Sequence, residues 1–196
     1  MNKFPIILAS ASPRRAELLQ QIGWQPQVEP VDIDESVRPN EPAKDYCLRM
    51  AIEKSAAAQR RIDSQLPVLT ADTVVVADDE ILGKPTDEEM AILTLNKLSG
   101  RTHQVYSSVC VYHQGKTASK LSANAVTMSP IKAHELAAYV ASREPMDKAG
   151  AYGIQGMAAM WIESIQGSYS SIMGLPLFET TQLLRQLDIS LPIDVK

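Results

Sequence analysis

Residues 67–78 read PVLTADTVVVAD, the strongest strand signal in the chain. A valine-rich apolar run of this length, closed by an acidic turn, commits the chain to a sheet. Asp72 interrupts it. An ionised carboxylate is costly in such a strand unless it is paired, metal-bound or catalytic. A carboxylate capping a neighbouring loop is the competing reading, since structural ion pairs occupy such positions too.

A second stretch, ILASASPRR at 7–15, raises the opposite question. A helix N-terminus carries partial positive charge and favours acidic side chains in its first turn. Here Arg14 and Arg15 stand at that place. Either they are a tolerated surface feature or an anion sits against them. The chain of 196 residues has a net charge of −4 and a pI near 5.4. That acidity argues against a nucleic-acid partner, which calls for a basic excess. Local basic groups in an acidic protein point instead to a small anionic ligand.

The two cysteines, Cys47 and Cys110, form neither a metal-ligand spacing nor a disulfide framework, so both read as packed thiols in a reducing compartment. MNKFPIILASA is too short for a secretory signal, and Arg14–Arg15 leads into an amphipathic helix rather than a twin-arginine signal. No apolar run approaches the roughly 20 residues that span a bilayer. A cytoplasmic protein with no membrane partner is the expectation.

The remaining elements follow from periodicity and punctuation. Strands are expected at 5–10 and 26–32, with a helix between them opened by Ser12 as N-cap and Pro13, and stopped by Gly23. DIDES runs into a loop, and 43–61 predicts a long helix with Tyr46, Met50 and Ala57 on one face. Thr86–Glu89 reads as a capping box for a helix ending at Ser99–Gly100. Strands at 103–113 and 117–128 flank HQGK as a hairpin. A helix from Ser129–Pro130 to Ser142, a strand near 158–165 and a helix over 176–187 complete the set. Crossovers together with hairpins predict an α/β fold with a mixed sheet. Residues 1–196 read as one domain with no internal repeat.

Several motifs fail on inspection. Gly83-Lys84-Pro85-Thr86 echoes a phosphate loop, but Asp78 stands where its first glycine belongs and a proline breaks the pattern. His134-Glu135 lacks the second histidine of a zinc motif, because position 138 is alanine. No serine lies in a G-x-S-x-G, and Gly150, Gly153 and Gly156 do not have dinucleotide-binding spacing. His103, His113 and His134 read as surface or structural residues. A dispersed set of polar residues is left: Arg14, Arg15, Lys54 and Lys84 with Glu35 and Asp72. One at a time, Glu35 reads as a solvated loop acid, Lys54 as an exposed helix lysine, Lys84 as a turn lysine and Gln155 as a loop-shaping residue.

Taken together the chain resembles the Maf family of nucleoside triphosphate pyrophosphatases. The segments that carry the resemblance are LASASPRRAELL (8–19), DIDES (32–36), EKSAA (53–57), ADTVVV (71–76), ILGKP (81–85), LSGRTHQVYSSV (98–109), DKAGAYGIQG (147–156) and GSYSSIMGLP (167–176), in family order. The resemblance implies an elongated α/β fold related to the inosine triphosphatases, with two lobes around a central nucleotide cleft, commonly as a homodimer. It implies hydrolysis of a nucleoside triphosphate to the monophosphate and pyrophosphate with a divalent cation, Mg or Mn. Asp72 matches the family's catalytic base, and Ser10, Arg14, Arg15, Glu35, Lys54, Lys84 and Gln155 match positions associated with substrate or metal. Glu35 is the candidate second metal ligand beside Asp72.

The same resemblance separates two specificities, one for dTTP and UTP and one for 7-methyl-GTP, at three positions. They are Arg14, Thr73 and Gln155 here, where the methylguanine type has tryptophan, glutamine and glutamate. A tryptophan face suits a cationic methylated purine, which Arg14 would repel. The Gln155 amide donates and accepts, matching the carbonyl and N3–H of uracil or thymine. The expectation is therefore a dTTP/UTP pyrophosphatase, with modified uridine triphosphates as further substrates. A nucleotide-binding regulator of septum formation, a purine-selective pyrophosphatase and a simple phosphatase stand as the alternatives.

Overall fold

The computed structural model describes residues 4–194. Strands β1 (Pro5–Leu8), β2 (Gln25–Val28), β3 (Val68–Ala77), β4 (Glu80–Leu82), β5 (Thr102–His113), β6 (Lys116–Met128) and β7 (Ile162–Gln166) are interspersed with six α-helices. These are α1 (Pro13–Gln21), α2 (Ala43–Arg61), α3 (Glu88–Leu98), α4 (Ala133–Ala141), α5 (Tyr169–Met173) and α6 (Leu177–Gln186). The strands form one seven-stranded sheet in the order β2-β1-β3-β5-β6-β7, with β4 paired to β3. It is mixed, as expected. β1 runs parallel to β2 and to β3, while β3–β4 and β6–β7 are antiparallel.

Local chemistry sets the connections. Asp78 and Asp79 both have positive φ, 50° and 61°, and join β3 to β4 in two residues. Gln114 and Gly115 do the same between β5 and β6, with φ of 47° and 80°. Two left-handed residues give the turn twist that matches paired strands. Gly23, at φ 90°, follows α1, and a Cβ there would lie 2.8 Å from Pro192 Cβ. No described helix is long and apolar enough to cross a membrane.

Several expected boundaries move. β2 stops at Val28 rather than 32, and Ser12 occupies the N-cap of α1 without a side-chain cap bond. Asp87, not Thr86, caps α3: its carboxylate accepts from Met90 N at 2.8 Å, while Thr86 Oγ1 donates to Asp87 Oδ2 at 3.1 Å. Asp is as good a cap as threonine and already sits one residue nearer. α4 begins at Ala133, because Ile131 N is drawn to Ser99 Oγ at 2.7 Å before the helix can start. The strand expected at 158–165 is a 3₁₀ turn, Met157–Trp161, followed by β7.

The chain divides into two compact units. The first comprises the N-terminal part through Asp72, Ser107–Ser122 and the part from Gly174 onward. Ile7, Ala9, Val31, Ala57, Ala58 and Val68 form an apolar cluster within it. The second comprises Thr73–Tyr106 and Ala123–Met173, with Val75, Leu95, Leu98, Val126, Tyr139 and Trp161 among its core residues.

Candidate active site

Asp72 stands midway along β3 and is buried. α2 supplies its partner. Lys54 shares the buried stripe of that helix with Tyr46, Met50 and Ala57 and is only 9% exposed. Its ammonium donates to Asp72 Oδ1 at 2.7 Å and lies 2.8 Å from Glu35 Oε1. The exposed-lysine reading of Lys54 is therefore wrong, and the loop-cap reading of Asp72 gives way to a buried ion pair. Glu35, outside any strand and 54% exposed in its side chain, reaches the same ammonium.

β1 ends at Leu8, and the chain turns through Ser10 into α1. Ser10 Oγ accepts from Arg15 Nη1 at 2.9 Å and from Ser12 N at 3.3 Å. Arg15 also donates from Nε to the Gly174 carbonyl at 2.8 Å. Its guanidinium is thus oriented by protein acceptors on two sides, and α1 has no acidic residue in its first turn.

The electrostatics follow from burial. Desolvation raises the Asp72 pKa above the usual 3.8, and the charges of Lys54 and Arg15 oppose that rise. Burial also lowers the Arg15 pKa, with Asp72 pulling it back. A buried carboxylate whose pKa is pushed up by desolvation, with two cations beside it opposing the rise, has the character of a group that can take up a proton.

A second layer fixes these groups. Cys47 Sγ, with one S–H to give, lies 3.7 Å from the Asp72 carbonyl and 3.4 Å from Ser108 Oγ, and Ser108 Oγ donates to the Cys47 carbonyl at 2.6 Å. Thr70 Oγ1 donates to the Ala51 carbonyl at 2.7 Å. These bonds dock β3 on α2. Burial pushes the Cys47 thiol up to about 12, and both cysteines are free and buried, so they are packed thiols as expected.

The Glu35 loop has its own clamp. Tyr46 OH donates to the Glu35 carbonyl at 2.8 Å. Arg49 grips Glu41 with two bonds of 2.5 and 2.6 Å, reaches Glu53 at 3.2 Å and donates to the Ser36 carbonyl at 3.0 Å. Sequence reading passes over Arg49 and Glu41. Only the Arg49–Glu53 spacing of four on one helix hints at part of this network.

Thr73, Lys84 and Gln155 belong to the second unit. Alternation along β3 turns Thr73 to the face opposite Asp72. Lys84 is exposed just after β4, and Gly83 O accepts from Gly150 N at 3.2 Å. The lysine turn is thereby tied to the glycine-rich segment that bears Gln155, whose side chain is exposed. Arg14 is half-buried at the start of α1.

Among the described residues no group of three or more His, Cys, Asp or Glu side chains is placed to hold a metal ion. Glu35 and Asp72 instead fit the sparser donor set that Mg favours, one or two carboxylates completed by substrate phosphates and water. Both carboxylates already converge on a cation, the Lys54 ammonium.

The chain matches the model for Maf-like proteins over residues 5–187. It is 48% identical over 193 residues to a dTTP/UTP pyrophosphatase of Methylobacillus flagellatus, covering 98% of this chain and 97% of that protein. It is 49% identical over 185 residues to one from Alcanivorax borkumensis, with 94% and 96% covered. A third, from Neisseria meningitidis serogroup B, is 45% identical over 194 residues, with 96% of each covered. The chain belongs to the Maf-like protein family.

Proposed function

We propose that this chain hydrolyses dTTP and UTP to the monophosphate and pyrophosphate. The observation that carries the reading is the buried Asp72 carboxylate, bonded to Lys54 and neighboured by Glu35 and Arg15. The names of the relatives, at 45–49% identity, point to the same substrates.

Lysine and arginine side chains are the groups that hold a polyanion. We assign the triphosphate to Ser10, Arg15, Lys54 and Lys84, and the nucleobase to Arg14 and Gln155; Thr73, on the other face of β3 from Asp72, stands outside this assignment. Oδ1 of Asp72 is bonded to Lys54, so Oδ2 is the atom that takes a proton from water. The water oxygen bonds to the α-phosphorus, the bond from that phosphorus to the bridging oxygen breaks, and pyrophosphate leaves with the electron pair. The charges of Lys54 and Arg15 favour the ionised form of Asp72 against the desolvation that raises its pKa. Glu35 and Asp72 would hold the divalent cation, Mg or Mn, which when bound supplies charge stabilisation for the departing pyrophosphate.

A panel of nucleoside triphosphates with Mg or Mn, separating pyrophosphate from orthophosphate, tests the reading. UTP and dTTP are expected to turn over fastest and to yield pyrophosphate. Faster turnover of ITP, release of orthophosphate, or strong activity on 7-methyl-GTP with none on UTP would overturn it.

A further inference from the structure

Gln155 sits at the tip of a tight turn. Gly156 N donates to the Gly153 carbonyl at 3.1 Å, closing the turn over Ile154 and Gln155. Ile154 is buried in the core of the second unit, while Gln155 points to solvent. A turn of this kind has little of its own to hold it in one conformation, so its base decides how sharply Gln155 is aimed.

That base is built around Glu144. One carboxylate oxygen, Oε1, accepts from Tyr139 OH at 3.0 Å, and the other accepts from Met157 N at 3.1 Å. Tyr139 is itself fixed: it is 1% exposed, and its ring meets Trp161 edge-on at 5.2 Å. The carboxylate lies against Gly156 so closely that a Cβ there would run into it. On the other side of the turn a Cβ at Gly153 would lie 2.8 Å from Lys148 Cε. Lys148 in turn donates to the Glu144 carbonyl at 2.6 Å and to Asp147 Oδ1 at 2.7 Å. A side chain at Gly156 would have to displace the Glu144 carboxylate, and one at Gly153 the end of Lys148.

We propose that Glu144 is a positioning residue for base selectivity, acting through the turn that presents Gln155. The inference rests on the reading of Gln155 as a base contact. A carboxylate accepts both bonds without adjustment. Glutamine can keep both as well, because its Oε1 can accept from Met157 N while its amide donates to the Tyr139 hydroxyl, which can reverse its role. Alanine loses both and leaves a buried phenol hydroxyl without an acceptor.

The experiment compares kcat and KM for UTP and for ITP in wild type, Glu144→Ala, Glu144→Gln and Gln155→Ala. Glu144→Ala is expected to raise the UTP KM about tenfold and to cut the preference for UTP over ITP by a similar factor, the scale of one lost charge-assisted hydrogen bond. Glu144→Gln should restore most of both. Hydrogen exchange at the Gly156 and Met157 amides should rise in Glu144→Ala and not in Glu144→Gln. Should Glu144→Ala fail to fold, Gly156→Ala drives a methyl against the same carboxylate and is expected to reproduce the loss of preference. If Gln155→Ala loses the preference while Glu144→Ala and Gly156→Ala keep it, the positioning role is wrong and the base contact stands. If Gln155→Ala keeps the preference, the base contact and the positioning role fall together.

Discussion

Asp72 and His103 are both buried titratable groups, one from each unit, and the protein treats them in opposite ways. Asp72 is raised by desolvation, but Lys54 and Arg15 supply charge that opposes the rise. His103, 2% exposed, is lowered to about 4 by burial with no compensating charge. Its Nε2 pairs with Tyr152 OH at 2.8 Å, and Nδ1 has no hydrogen-bond partner among the described residues. Burial disfavours charge in both places. In the first the carboxylate is surrounded by counter-charge that works against the effect of burial. In the second the charge is given up, and a neutral imidazole serves as packing. Acid should therefore act on the two regions with opposite sign.

The largest effect is expected at Asp72. Asp72→Asn keeps the shape and can still accept from Lys54, but it cannot take a proton. Pyrophosphate release from UTP should fall about 10²–10⁴-fold, the usual contribution of a general base. Relative to this variant, wild type should gain stability as pH falls from neutral. The folded pKa of Asp72 lies above its unfolded value, so the native state takes up the proton first. A urea-midpoint difference that moves the other way would show that the counter-charges outweigh the desolvation.

Lys54→Met removes the cation and leaves two carboxylates facing each other. Breaking a buried pair from one side costs about 3–5 kcal/mol, and the half-exposed Glu35 places this case toward the lower end. The loss should be greatest at neutral pH and shrink on acidification, because Asp72 without Lys54 protonates more readily still. Thermal melts from neutral to mildly acidic pH measure it. A pH-independent loss would mean that Lys54 acts by packing its aliphatic stem, and the first region would then resemble the second.

How much of this could be read from the chain depends on whether a signal is local. β3 and its anomalous carboxylate announce themselves, because a valine-rich run bearing a single acid suits a buried strand and little else. α2 falls at 43–61 as expected, since its apolar stripe and flanking proline are both local. Lys54 was legible in principle: it lies four residues after Met50 and three before Ala57, on the stripe that helical periodicity assigns to the core. Reading it as exposed follows residue type where position carried the information. Glu35 was not legible from the residues alone, because its partner is set by how α2 packs beside it and its own segment has no regular period. The same holds for the segment from Met157 to Trp161. Its apolar composition suits a strand, but the bond from Met157 N to Glu144 spends a backbone donor that a strand would need.

His103 carries the smallest of these effects and the cleanest sign. Its folded pKa, about 4, lies below the usual 6.5, so between those values the unfolded chain binds a proton that the native state refuses. The stability that neutral His103 permits is complete above about pH 6.5 and is lost as pH falls toward 4, by roughly 3 kcal/mol in all. His103→Gln does not titrate, and its amide can still meet the Tyr152 hydroxyl. Urea midpoints for wild type and His103→Gln should converge or cross as pH falls from 7 to 4, the reverse of the trend expected for wild type against Asp72→Asn. Parallel curves over that range would mean that the imidazole is charged while folded. The region would then need a counter-charge of its own, and the contrast between the two buried groups would disappear.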